Sequence, residues 1–313
     1  MKYGFGVDLG GTTVKIAYFD QEGHMLDKWE IPTDIRDSGS HILSDIAASI
    51  HGYLDSRRIP RTEIVGVGLG VPGAVLKNGW VNKCINLGWG KFDLTSAFQQ
   101  AVGFPVRCGN DANVAALGES WQGGGKGTSS MVMVTLGTGV GGGIVLGGQL
   151  LVGAHGAGGE IGHLVLNRGE TVRCNCGKYG CVEQYCSATG ICRVARLLLA
   201  ESPLDSPLRQ MENFTCKDLF DLGKAQDPLA LQILDRVYAY MGEFLANVCI
   251  VTDPEVVVLG GGVSKAGQML LDGIRPYFDR YIFHASNTIE FKLAQLGNDA
   301  GAYGAFKLVL DAQ

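Results

Sequence analysis

Two segments of this chain, 3–20 and 132–148, show the same pattern of a strand, a glycine turn and a second strand. Their sequences are YGFGVDLGGTTVKIAYFD and VMVTLGTGVGGGIVLGG, with Leu-Gly and a threonine at matching places. The repeat distance of about 130 residues is far longer than the roughly 20 to 50 residues of a solenoid repeat. The sequence therefore predicts two duplicated domains, each with a glycine-turned hairpin.

The other segments show alternating helix and strand patterns. The segment 63–73 predicts a buried strand that runs into a loop, and 105–124 predicts a strand that ends at the tetrapeptide NDAN with a helix after it. Helices are predicted across 187–250, followed by a strand and turn at 255–264 and a C-terminal helix. A further helix is predicted within 40–57, where five apolar residues recur at helical spacing: Ile42, Leu43, Ile46, Ile50 and Leu54.

Composition indicates a globular protein with a small-molecule ligand. The 313 residues are 46% apolar, which is enough for the cores of two domains. Charged residues make up 18% and the net charge is -5, which argues against a basic surface for nucleic acid or an acidic membrane. We therefore expect a neutral or anionic small molecule as the ligand.

Two features bear on location. The 22-residue stretch 131–152 carries no charge and has the length of a membrane span, but seven of its residues are glycine. That glycine content favours two buried strands joined by a turn. The N-terminal segment has no apolar signal core, so the nine cysteines predict a cytoplasmic, reducing location without disulfides.

The turn of the first hairpin, DLGGTTVK (8–15), has the composition of a phosphate-binding turn. Its glycines free backbone N–H groups to point at phosphate oxygens, and the carboxylate at the strand end is placed to hold the water shell of Mg²⁺. A tight hairpin with ordinary turn residues is the alternative, and this segment alone does not decide between them. The candidate residues are Asp8, Gly10, Gly11, Thr12, Thr13 and Lys15.

The turn of the second hairpin contains a G-x-G-x-x-G pattern at Gly137, Gly139 and Gly142. In a dinucleotide-binding fold a helix directly follows these glycines, whereas IVLGGQLLV predicts a strand. Another match at 68–73 has Pro72 inside the turn. Nicotinamide-dependent hydride transfer is therefore disfavoured.

The pentapeptide GNDAN (109–113) places Asp111 beside Asn110 where a strand meets a helix. One interpretation is that Asp111 is the N-cap of the helix, a frequent position for aspartate. The other is that Asp111 is a general base that accepts a hydroxyl proton while Asn110 orients the substrate. The residues themselves leave both interpretations open.

Four cysteines lie within VRCNCGKYGCVEQYC (172–186), and three of them form the pattern C-x-C-x4-C with a histidine upstream. Free buried cysteines are the alternative to a metal site, but a glycine-rich polar loop is a poor place for them. Cys186 is left out of the site. Glu160 and Glu183 lie on either side of the cysteine loop, so a loop folded around zinc would fix two carboxylates as acceptors for hydroxyl groups. The predicted ligands of a closed tetrahedral zinc site are His163, Cys174, Cys176 and Cys181.

Five motifs, in this order and spacing, resemble the ROK family of sugar kinases and repressors: DLGGTTVK, NDAN, LGTGVGGG, GEIGH and CNCGKYGCVE. The resemblance covers nearly the whole chain, and the last two motifs are specific together, whereas DLGGT marks only the wider superfamily of actin, Hsp70 and hexokinase. It implies a two-domain α/β fold of the actin/hexokinase-like (ribonuclease H-like) kind, with duplicated domains around a cleft. The implied parts are a small domain over 1–113, a large domain over 114–298, and a C-terminal helix over 299–313 that returns to the small domain.

The resemblance also implies a role for each matching residue. Asp111 would be the catalytic base, and Asp8 would lie near Mg²⁺ in the turn that also contains Lys15. The sugar would be bound by Gly73, Asn86, Asn110, Glu160, His163 and Glu183. ATP would be bound by Gly10, Gly11, Thr12 and Thr13, by Gly137, Thr138 and Gly139, and near the adenosine by Gly261 and Gly262. Zn²⁺ would be bound by His163, Cys174, Cys176 and Cys181, with the other ring nitrogen of the histidine facing the sugar.

The implied activity is ATP- and Mg²⁺-dependent phosphorylation of glucose at its 6-hydroxyl, in a cytoplasmic homodimer with a structural Zn²⁺. GEIGH and the later SATG resemble the glucokinase branch, and no helix-turn-helix pattern precedes Tyr3, which favours the enzymes over the repressors. Two alternatives stay open: a kinase for N-acetylmannosamine, N-acetylglucosamine, fructose or allose, and a sugar-sensing regulator without catalysis. No nucleic-acid or membrane partner is expected.

Overall fold

The computed structural model describes residues 2–313 of the chain. Its strands are β1 (Tyr3–Leu9), β2 (Thr13–Asp20), β3 (Met25–Pro32), β4 (Ile64–Val71), β5 (Trp80–Val81), β6 (Phe92–Asp93), β7 (Val106–Asn110), β8 (Met131–Leu136), β9 (Val140–Leu146), β10 (Gln149–Leu150), β11 (Val256–Gly260) and β12 (Glu290–Leu293). Its α-helices are α1 (Arg36–Gly39), α2 (Ile42–Arg57), α3 (Leu94–Val102), α4 (Asp111–Gln122), α5 (Glu183–Cys186), α6 (Ala188–Glu201), α7 (Cys216–Lys224), α8 (Pro228–Thr252), α9 (Gln268–Tyr281) and α10 (Ala300–Leu310). Short 3-10 helices lie at Arg61–Glu63, Ile85–Leu87, Ile161–His163, Pro207–Gln210, Val263–Ala266, His284–Ser286 and Gly297–Asp299.

Two five-stranded sheets have the same topology. The first has the order β3-β2-β1-β4-β7, and the second has the order β10-β9-β8-β11-β12. In the first sheet β1 pairs antiparallel with β2 and parallel with β4. In the second sheet β10 pairs antiparallel with β9, and β8 and β12 both pair in parallel with β11. The matching order confirms the duplication predicted from the two hairpin segments.

Most predicted elements are present at the expected places. The helix predicted within 40–57 is α2, whose Ile42, Ile46, Ile50 and Leu54 are buried in the core between the first sheet and helices α2 and α3. The uncharged stretch 131–152 forms the two predicted strands, β8 and β9, and a third short strand, β10, that was not predicted. None of the described helices is both long and apolar enough to cross a membrane.

Glycine lets the C-terminal helix α10 lie with its backbone directly against neighbouring backbone. A Cβ atom at Gly68 of β4 would overlap the carbonyl oxygen of Ala305 in α10. In the same way, a Cβ atom at Gly304 of α10 would overlap the carbonyl oxygen of Val114 in α4. Because these contacts leave no space for a side chain, part of the high glycine content serves packing and not ligand binding.

The chain forms two compact units. Unit 1 contains the chain as far as Ser129, together with Gly143–Gly159 and Gln295–Gln313. Unit 2 contains Ser130–Gly142 and Glu160–Ala294. Both α4 and α10 therefore belong to unit 1. The division into domains over 1–113, 114–298 and 299–313 stays a prediction, since compact units of this kind are not a test of independent domains.

Candidate active site

The first hairpin turn, between β1 and β2, is held by backbone and threonine hydrogen bonds. The Gly10 N–H donates to the carbonyl oxygen of Thr13 at 3.0 Å, and the Thr33 hydroxyl donates to the carbonyl oxygen of Gly10 at 2.8 Å. A Cβ atom at Gly11 would meet nothing within 4 Å, and the Thr12 side chain is exposed. The backbone at Gly11 and Thr12 is therefore open to a ligand.

Asp8 lies at the end of β1, half-buried beside this turn. Its carboxylate is 3.8 Å from the Lys15 ammonium, which also donates to the carbonyl oxygen of Asn298 at 3.3 Å. A Cβ atom at Gly301 would lie 2.7 Å from the carboxyl carbon of Asp8, so the acid packs against the first turn of α10. Burial raises the pKa of the Asp8 carboxyl, and the charge of Lys15 opposes the shift. A cation bound here would favour the carboxylate form.

Asn110 and Asp111 stand where β7 meets α4. The N-cap of α4 is Asn110, whose side-chain oxygen accepts from the Asn113 N–H at 3.1 Å. The interpretation of Asp111 as the N-cap is therefore wrong by one residue. The Asn110 amide also donates to the carbonyl oxygen of Gly73 at 3.2 Å and to the Asp111 carboxylate at 2.9 Å. The structure thus brings Gly73, Asn110 and Asp111 together in unit 1.

The loop at Gly73 rests on a buried cysteine. A Cβ atom at Gly73 would lie 2.5 Å from the sulfur of Cys84, which is 0% exposed, and 2.7 Å from the carbonyl oxygen of Lys83. Asn86 follows in the 3-10 helix Ile85–Leu87 and has an exposed side chain. Sequence analysis did not identify Cys84, since nothing in the sequence pairs it with Gly73.

The second hairpin turn, between β8 and β9, is supported by residues of unit 2. The Val140 N–H donates to the Glu183 carboxylate at 3.1 Å, and a Cβ atom at Gly139 would overlap that carboxylate. The Thr189 hydroxyl donates to the carbonyl oxygen of Thr138 at 2.8 Å. A Cβ atom at Gly137 would meet nothing within 4 Å, so the outer face of this turn is open.

A further glycine turn follows β11. Gly261 has a φ of +83°, and a Cβ atom there would lie 2.5 Å from the carbonyl oxygen of Leu136 at the end of β8. A Cβ atom at Gly262 would meet nothing within 4 Å. Gly261 therefore serves the backbone turn, and Gly262 leaves an open surface next to the second hairpin turn.

The predicted zinc ligands come together in unit 2. Their ligand atoms all lie within 4.8 Å of one another: His163, Cys174, Cys176 and Cys181. The sulfurs of the last two are 3.6 Å apart. Nδ1 of His163 is buried and has no hydrogen-bond partner, while Nε2 lies 4.0 Å from the Glu160 carboxylate. Three thiols and an orphaned imidazole nitrogen fit the donor set of a structural Zn²⁺ site.

We call residues 164–181, which contain the cysteines, the zinc loop. The Cys174 N–H donates to the carbonyl oxygen of Lys178 at 2.8 Å, and the Gly177 N–H donates back to the carbonyl oxygen of Cys174 at 2.8 Å. Gly177 and Gly180 have φ values of +85° and +72°, which side chains rarely allow. The glycines of CGKYGC therefore make the tight reversal that gathers the sulfurs.

Two carboxylates flank this cluster. Glu183, the first residue of α5, has one oxygen 3.6 Å from the Cys174 sulfur and the other on the Val140 N–H. Glu160 precedes the 3-10 helix Ile161–His163 and has a half-exposed side chain. Glu183 therefore links the cluster of three cysteines and His163 to the second hairpin turn.

Comparisons with known proteins agree with this arrangement. The ROK family is matched by residues 4–312. The glucokinase of Halalkalibacterium halodurans is 42% identical over 309 residues, which cover 97% of this chain and 94% of that protein. The crystal structure of a ROK hexokinase from Thermus thermophilus is 32% identical with a TM-score of 0.80, and the match covers 99% of both chains. That of a ROK family glucokinase from Streptomyces griseus, in complex with glucose and AMPPNP, is 32% identical with a TM-score of 0.73 over 98% of both chains.

The duplicated sheets, each with a glycine-turned hairpin, define a protein of the actin/hexokinase-like fold, as the resemblance implied. Within that class, this chain belongs to the ROK family. The roles assigned to individual site residues remain predictions.

Proposed function

We propose that this protein is a glucokinase, which transfers the γ-phosphoryl group of ATP to the 6-hydroxyl of glucose. The observation that carries the proposal is its 42% identity, over 97% of the chain, to a protein named glucokinase. A solved relative named as a ROK family glucokinase, in complex with glucose and AMPPNP, supports the same pair of substrates.

Asp111 is the proposed general base. Its carboxylate lies in the first turn of α4, where the helix dipole favours negative charge, and it accepts hydrogen bonds from the Asn110 amide and the Ala112 N–H. It would accept the proton of the 6-hydroxyl as that oxygen bonds to the γ-phosphorus and the bond to the β-phosphate oxygen breaks. Because Asn110 caps the helix, Asp111 is not needed for capping.

The nucleotide would be held by the open glycine turns. We propose that the first turn binds phosphate oxygens through the backbone at Gly10, Gly11, Thr12 and Thr13, with Lys15 beside them. Gly137, Thr138 and Gly139 would form the second phosphate turn, and Gly261 and Gly262 would lie near the adenosine. Mg²⁺ neutralises charge on the phosphates when bound, and Asp8 would hold its water shell.

The sugar hydroxyls would be bound by Asn110, Glu160, His163 and Glu183, with Gly73 and Asn86 as further candidates. We propose that His163 binds Zn²⁺ through Nδ1, its buried and unpartnered nitrogen, and faces the sugar with Nε2. Zn²⁺ supplies structural support when bound, and the residues around it bind the sugar. The orphaned Nδ1 supports this assignment.

The setting we propose is a cytoplasmic homodimer that binds neither nucleic acid nor membrane. The net charge of -5 argues against binding to nucleic acid. The three clustered cysteines would have to be reduced thiols to bind a metal, which supports a reducing compartment. Exposed apolar side chains at the end of α8, among them Val251 at 85% exposure, support a second protein copy as partner.

The experiment that tests the proposed function is ADP release with MgATP and a panel of sugars. We expect kcat/KM for glucose to exceed that for N-acetylglucosamine, N-acetylmannosamine, fructose and allose by at least about tenfold, because a pocket built to pair hydroxyls rejects sugars that leave its polar groups unpaired. Preference for another hexose would contradict glucose as the substrate but would still support phosphoryl transfer to a sugar. Binding of sugars without any ADP release would indicate a sensor instead.

A further inference from the structure

The short helix α5 carries Glu183 but is not self-supporting. It has four residues, and its N-cap, Val182, makes no side-chain capping hydrogen bond. A single isolated turn is unstable because helix nucleation is costly. Contacts with its neighbours, the zinc loop among them, therefore decide where α5, and with it the Glu183 carboxylate, lies.

Gln184 makes two of these contacts. Its side-chain oxygen accepts from the Cys181 N–H at 3.1 Å, and its amide donates to the carbonyl oxygen of Val172 at 2.9 Å. The residue after Glu183 is thus tied to both ends of the cysteine segment. Both hydrogen bonds go to backbone groups of the loop, so the loop side chains remain available to other partners.

A buried carboxylate, Glu170, makes a further contact with α5 through the Tyr185 hydroxyl. One oxygen accepts from the Tyr185 hydroxyl at 2.5 Å and from the Arg193 guanidinium of α6 at 2.5 Å. The other accepts from the N–H groups of Thr171 and Val172 at 3.0 and 2.8 Å. Each oxygen therefore has two donors, and the Glu170 side chain is only 6% exposed.

The surrounding donors stabilise the ionised form of the Glu170 carboxyl group. Burial alone would raise the pKa of its carboxyl, but hydrogen bonds from Tyr185, Val172 and Arg193 outweigh burial and lower that pKa to about 2. A paired and fully hydrogen-bonded buried charge keeps a fixed geometry. The ion pair therefore joins the zinc loop, α5 and α6 into one rigid group.

Tyr185 is the link to the site. Its hydroxyl donates to Glu170 and accepts from the Asn167 amide at 3.0 Å, both in the zinc loop, and its ring is 3% exposed. Glu183 lies two residues earlier on the same turn and contacts Val140 of the second hairpin. A shift of α5 would therefore move the Glu183 carboxylate away from that hairpin.

We propose that Glu170, Tyr185 and Arg193 are positioning residues that fix the Glu183 carboxylate for sugar recognition. This inference rests on the proposed function, in which Glu183 accepts hydrogen bonds from sugar hydroxyls. The three side chains act through α5, independently of the thiols that bind the metal. Sequence analysis missed them because Glu170 and Arg193 are 23 residues apart, with no motif to pair them.

Tyr185→Phe is the first test. We expect KM for glucose to rise about tenfold, with kcat within about threefold and KM for ATP unchanged, because the lost hydrogen bond misplaces a group that binds the sugar equally in ground and transition states. Zinc content, measured by a colorimetric chelator after unfolding, should stay at one ion per chain. Tyr179→Phe is the matched control, since its hydroxyl accepts from Arg173 in the same loop but is exposed.

Glu170→Gln is the second variant and should raise KM for glucose further, because an amide places a donor opposite other donors. An unchanged KM in Tyr185→Phe, or an equal rise in Tyr179→Phe, would overturn the inference while wild-type activity still supports the proposed function. Loss of zinc in Tyr185→Phe would also overturn it, since the role would then be structural. A wild-type protein that phosphorylates no hexose would contradict the proposed function itself, and this inference with it.

Discussion

Asp111→Asn is expected to lower kcat by roughly a thousandfold, the usual contribution of a positioned general base. The dissociation constant for glucose should change by less than about threefold. The reason is that one oxygen of Asp111 accepts both the Asn110 amide and the Ala112 N–H, and an amide oxygen can accept the same two bonds. Steady-state ADP release and calorimetric titration with glucose measure the two quantities separately.

Asp45→Asn is the matched control, because Asp45 is an exposed acid in the first turn of α2. It makes the same chemical change at a comparable helix position, so it corrects for the loss of a favourable charge at a helix N-terminus. Turnover close to wild type in Asp45→Asn and a large loss in Asp111→Asn support the assignment. Near-normal turnover in Asp111→Asn would remove Asp111 from the role of base.

Cys176→Ser is expected to lose Zn²⁺ and sugar affinity together. The ligand atoms of the four zinc residues lie within 4.8 Å of one another, and the Cys174 sulfur is 3.6 Å from the Glu183 carboxylate. Loss of one ligand should cut zinc content to well below one ion per chain and raise KM for glucose by about a hundredfold, the upper range for disturbed metal sites. Metal analysis and sugar titration on the same sample measure both effects.

Cys216→Ser is the control for this variant. Cys216 is a buried cysteine at the first position of α7, directly after the N-cap Thr215, and it is outside the cluster of predicted zinc ligands. Zinc content and KM should both match wild type in this control. Cys176→Ser protein that keeps normal glucose affinity without zinc would contradict the link between the metal and the sugar site.

Sequence alone predicted the parts of the fold that depend on local patterns. The two hairpins follow from alternating strand residues around glycine turns, and α2 follows from apolar residues at helical spacing. The clustering of the three cysteines was also predictable, because C-x-C-x4-C and a glycine turn are local. The choice between Asn110 and Asp111 as N-cap was not, since both residue types cap helices and they are neighbours.

Packing contacts between segments that are distant in the chain could not be predicted from the sequence. The high glycine content predicted close backbone approach, but the particular contacts of α10 at Gly68 and Gly304 depend on how distant segments meet. The Glu170 network likewise joins three elements, and each of its residues looks like an ordinary surface residue in its own segment. Such contacts arise from tertiary structure, so no local pattern signals them.

The most direct test of the central claim compares glucose with 6-deoxyglucose, which lacks only the proposed acceptor hydroxyl. With MgATP we expect ADP release coupled to glucose at a turnover of about 1 to 1,000 per second, the usual range of enzymes. With 6-deoxyglucose we expect binding but no release above the background without sugar. Equal ADP release with both sugars would contradict phosphoryl transfer to the 6-hydroxyl, and release with neither would contradict the kinase.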